Sequence, residues 1–104
     1  MHRGTTPTIT ITVIGEDFAG ATMYVTLEQG EFEITKTGAD VVVTATQTGS
    51  TVAVFLTQEE TLSFAKGNAK IQIRWINSSG IAQASPIKNI AIDPILLEGV
   101  IEYA

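Results

Sequence analysis

A chain of 104 residues, 44% hydrophobic and 16% charged, is long enough for one domain with a real core and too apolar to stay disordered. Its net charge of −5 comes from eleven acids against six scattered bases (Arg3, Lys36, Lys66, Lys70, Arg74 and Lys88), so there is no basic patch and no nucleic-acid partner is expected. The absence of cysteine excludes disulfides and thiolate chemistry, and with no apolar run near ~18 residues no membrane-spanning helix is expected.

Thr, Val and Ile account for 36 of the 104 residues, and their branching at Cβ favours strand over helix. Residues 1–7 read as a loose N-terminal arm ending at Pro7. In residues 8–14, Ile9, Ile11 and Val13 alternate with Thr8, Thr10 and Thr12, which predicts a strand with one buried face. GEDFAG (15–20) predicts a turn with Phe18 tucked inward, and residues 21–28 a second strand. Gln29-Gly30 predicts a tight hairpin into a third strand over 31–37, because glycine supplies the positive φ such turns need. Gly38-Ala39-Asp40 is the next turn.

Residues 41–47 and 51–56 predict a hairpin around Thr48-Gly49-Ser50. Its three consecutive valines, Val41 to Val43, suggest a strand that is central or covered on both faces. Thr57 with Glu60 forms a capping box, which predicts one helical turn over 58–63 that crosses between sheets. KIQIRW within 69–76 predicts the clearest strand. NSSG (77–80) is a turn, 81–85 its hairpin partner, and 86–92 an edge segment, because Pro86 has no N–H to give a central ladder. After Asp93-Pro94 the segment ILLEGVIEYA is strongly apolar.

These elements predict an all-β fold: an immunoglobulin-like Greek-key β-sandwich of about seven to nine strands over residues 8–93, with one short helical crossover turn. Residues 94–104 form an apolar C-terminal segment whose Ile95, Leu96, Leu97, Val100, Ile101 and Tyr103 are the candidate interaction residues. They are expected to dock or exchange as a strand with a neighbouring chain, making a homo-oligomer.

Little in the chain suggests chemistry. The lone histidine, His2, sits in the arm and reads as solvated, so no Ser-His-Asp arrangement can be assembled. Glu16-Asp17 and Glu59-Glu60 could suggest calcium or acid–base work, but turn formation and helix capping explain them better. Glu28, Glu31 and Glu33 surround a hairpin and read as solvated. Phe32, Phe55 and Trp75 are expected in the core, with Tyr24 the least certain aromatic. No catalytic, cofactor or metal residue is assigned, and the protein is expected not to be an enzyme. The start, MHRGTTPT, lacks the apolar stretch of a signal peptide, so the chain is expected to be made and kept, or assembled, in the cytoplasm.

The stretch LTQEETLSFAKGNAKIQIRWINSSGIAQASPIKNIAIDPILLEGVI resembles small tail or baseplate proteins of phages and prophages from Gram-positive hosts. The features that carry the resemblance are the Thr57–Glu60 turn, Leu62 and Phe64, Gly67, the KIQIRW strand, the NSSG turn, an edge strand with Lys88, and the ILLEGVI ending. The chain is also similar to the N-terminal sandwich domain of upper-baseplate proteins, without their second domain. The resemblance implies a virion structural protein, assembled in the host cytoplasm and bound to other tail or baseplate proteins, with no catalytic residues. The alternative is a carbohydrate-binding or adhesin-like sandwich module, which requires Tyr24 or Trp75 at the surface.

Overall fold

In the computed structural model residues 1–102 are described, and within them the expected alternation produces two antiparallel sheets. The first contains β1 (Thr8–Ile14), β4 (Val41–Ala45) and β5 (Gly49–Phe55), in the order β1-β5-β4. The second contains β2 (Thr22–Gln29), β3 (Phe32–Thr37), β6 (Gly67–Ile76), β7 (Ala82–Ala84) and β8 (Lys88–Ile92). Its order is β3-β2-β6, with β7 and β8 following one another along the far edge of β6. This is the immunoglobulin-type Greek key, B-E-D facing C′-C-F-G, and among the described residues no strand A lies beside β1. The helical turn α1 (Gln58–Leu62) carries the chain from β5 in one sheet to β6 in the other.

The register places the apolar phase of each strand inside. Val25, Leu27, Ile71 and Ile73 of the second sheet face Val52 and Val54 of the first, and all are buried. Trp75 is 8% exposed, packs edge-on against Phe18 at 5.0 Å, and donates its indole N–H to Gln83 Oε1 at 3.1 Å. Phe64 closes the α1 end of the core and meets Phe32 edge-on at 4.9 Å. The β2–β3 hairpin turns at Gly30-Glu31, where Gly30 takes φ +60°. Between β7 and β8 one extra residue enters the edge: Ala84 opposes Arg74 and Lys88 opposes Ile71, so Ser85 to Ile87 span only Gln72 and Ile73. This β-bulge accommodates Pro86, and Ser85 keeps the ladder by donating its N–H to the Ile73 carbonyl at 2.8 Å.

Three local expectations give way. Val41 to Val43 lie on β4, an edge strand, with Val41 buried and Val42 and Val43 exposed. Phe55 is 53% exposed, because Ser50, Val52, Val54 and Leu56 set the inward phase of β5. The arm of residues 1–7 is docked. The Met1 ammonium donates to the Ala91 carbonyl (2.7 Å), the Asp93 N–H to Met1 (2.7 Å) and the Arg3 N–H to Asp93 (3.1 Å), a short parallel pairing with the end of β8. Thr61, fully buried, also donates its hydroxyl to Thr5 at 2.8 Å.

Candidate functional site

The polar end of the sandwich that carries α1 also carries the C-terminal segment. Thr57 caps α1 by accepting the Glu60 N–H at 3.2 Å, while the Glu60 carboxylate accepts the Thr57 N–H at 2.9 Å. Lys36 points inward from the edge strand β3 and pairs with Glu60 at 2.7 Å. Burial alone would push the Glu60 carboxyl up. The Lys36 ammonium and the Thr57 donors outweigh it and hold the group below the usual carboxylate range.

Arg3 finishes the other end of this turn. Its guanidinium donates to the carbonyls of Phe64 and Leu62, the latter at 2.9 Å, satisfying groups that a helix end leaves without partners. The same guanidinium holds the Glu98 carboxylate with two bonds of 2.6 and 2.9 Å. Ile95 and Leu62 both lie close to Gly4; a Cβ on Gly4 would lie 2.8 Å from Ile95 Cδ1 and 3.3 Å from Leu62 Cδ2, and Gly4 also has φ +70°. Further along, the Gln58 side-chain amide bonds the Ile101 backbone in both directions, at 2.9 and 3.1 Å.

The segment is therefore pinned at Ile95, Glu98 and Ile101, and its apolar side chains point away from the domain. Leu96, Leu97, Val100 and Ile101 are between 46 and 105% exposed. Val100 also shares a shallow depression with the exposed ring of Phe55, floored by Thr57 and Gln58. Of the six candidate interaction residues, the structure puts four on this surface and half-buries Ile95; Tyr103 lies outside the described residues. Arg3 and Gln58 escaped sequence reasoning. Their partners lie tens of residues away, and no local pattern marks them.

The remaining polar candidates take up structural tasks. The Asp17 carboxylate accepts the Ala19 N–H at 3.0 Å in a side-chain-closed turn. His2 is exposed, and its backbone bridges to Asp93. Among the described residues, no group of three His, Asp or Glu side chains gathers to hold a metal ion, and no helix is long and apolar enough to cross a membrane. Tyr24 stands on the outer face of the second sheet, 40% exposed and directly opposite Arg74. No family model, curated protein or solved structure matches this chain.

Proposed function

We propose that the protein is a non-enzymatic assembly module of a phage or prophage tail or baseplate, working through protein–protein contacts in the virion. The observation that carries this reading is the C-terminal segment, where polar anchors hold the backbone and large apolar side chains are presented to solvent. A segment whose only task was to finish the domain would turn those side chains inward; exposed apolar clusters of this kind mark interaction sites. The resemblance of residues 55–102 to small tail and baseplate proteins supports the setting. The genes beside this one test it: tail-fibre, holin or endolysin genes are expected, and a metabolic operon overturns the reading.

A second reading, a carbohydrate-binding or adhesin-like module, is favoured by one observation, the exposed Tyr24, which lies opposite Arg74 and lines a surface depression with it. Such a ring can stack on a sugar while the guanidinium bonds its hydroxyls. Binding on a glycan array that is lost in Tyr24→Ala would establish it, and an array without hits would remove it.

A further inference from the structure

The two sheets are unequal in width, and the mismatch leaves a place for one more strand. The first sheet stops at β1, while the second continues past β6 to β7 and β8. Opposite β7 and β8, where an immunoglobulin-type sandwich has strand A, the described residues provide nothing. An open groove runs there, between Ile11 and Val13 on one side and Ile71, Pro86 and Lys88 on the other. The docked arm covers only the lower part, since Met1 pairs at the level of Ala91.

The free edge itself is unguarded. β1 reads TITITVI, with no charge, proline or bulge, although these are the devices that normally protect an edge. The opposite edge of the molecule has such a device, because β3 turns Lys36 inward. At the open groove the inward-facing charge is Lys88, which is exposed and makes no ion pair among the described residues.

Resting on the assembly reading, we propose that the edge of β1 takes the C-terminal segment of a second copy as an added strand. The chain carries an unpaired edge and an uncovered apolar segment, and each supplies what the other lacks. In extended form Leu97 and Ile101 fall on one face, with Gly99 between them leaving room opposite Ile11, while Glu98 and Glu102 fall on the other. Backbone bonds to the free edge would supply affinity and the alternate apolar side chains specificity. Exchange across a two-fold axis doubles the buried area, which brings two small domains towards the ~1,200–2,000 Å² of a stable interface. The donor segment has little to give up, because its anchors at Arg3 and Gln58 are surface bonds.

The chain has no cysteine, so the contact can be trapped in the full-length protein. Thr12→Cys and Glu98→Cys chains, mixed and oxidised, are expected to give a mixed-disulfide species of twice the 11.1 kDa chain mass. The yield should exceed several-fold that from Glu33→Cys, on the outer face of β3, mixed with Glu98→Cys. A yield no higher than this control overturns the proposal, as does a Thr12→Cys, Glu98→Cys double variant that closes within one chain. The unsubstituted protein gives an independent reading: amide exchange over Ile11–Ile14 should slow as concentration rises, and exchange that ignores concentration overturns the proposal. These outcomes leave the assembly reading untouched, since it stands or falls with the neighbouring genes.

Discussion

Gly49 has no room for a side chain. A Cβ there would lie 2.1 Å from the Val13 carbonyl oxygen, where the start of β5 pairs with the end of β1. Because the obstacle is backbone, Gly49→Ala is expected to cost about 2 kcal/mol or more, read as a lowered denaturant midpoint. Trp75→Ala should cost ~3–5 kcal/mol by emptying the space between Phe18 and the sheet, a large share of a domain's usual stability. Native fluorescence checks the burial first: a blue-shifted maximum is expected, and one typical of solvated indole contradicts it. Trp75 was legible in the sequence because Ile71 and Ile73 precede it at a period of two. Phe55 was legible only if the alternation of Val52, Val54 and Leu56 was followed through it; the size and apolarity of a phenyl ring argue for the core, and the phase set by its neighbours wins. Gly49 was legible only as a turn residue, since the close approach that demands it comes from a strand 36 positions earlier.

Among the elements, α1 was the most legible, because its start signal is local. The Thr57–Glu60 box appears as the sequence implies, and Thr57→Ala is expected to cost ~1 kcal/mol, the usual cost of losing an N-cap. What the sequence concealed is that Glu60 also binds Lys36 of β3, 24 residues away. That link makes the turn sensitive to acid. The folded state holds the Glu60 carboxyl below its ordinary value of 4.5. Its contribution is thus fully present above pH 4.5 and is lost as pH falls through the lower, folded-state value. Denaturant midpoints measured against pH should decline on that acid side, and Lys36→Met should make the decline shallower. The hairpins were legible from their glycines and alternation, whereas the placement of β4 was not. Three consecutive valines suit a buried strand, yet the strand order puts them at an edge.

At the scale of the molecule, the sandwich was legible because alternation, turn spacing and the crossover all agree. The pinning of the C-terminal segment was not, since it depends on Arg3 and Gln58 meeting Glu98 and Ile101 across the whole chain. Deleting residues 95–104 is expected to convert an oligomer into a folded monomer, measured as solution mass across concentration. A full-length protein already monomeric at high concentration, or a truncation that unfolds, runs against that expectation. The parallel pairing of Met1–Arg3 with Ala91–Asp93 also bears on how the protein carries load. A pull that draws the beginning of the chain away from its end slides these two segments along each other, so their hydrogen bonds are strained together and cannot open one at a time. Gripped by its two ends, the domain therefore resists as a sheared joint, a property suited to a part that must stay folded under tension.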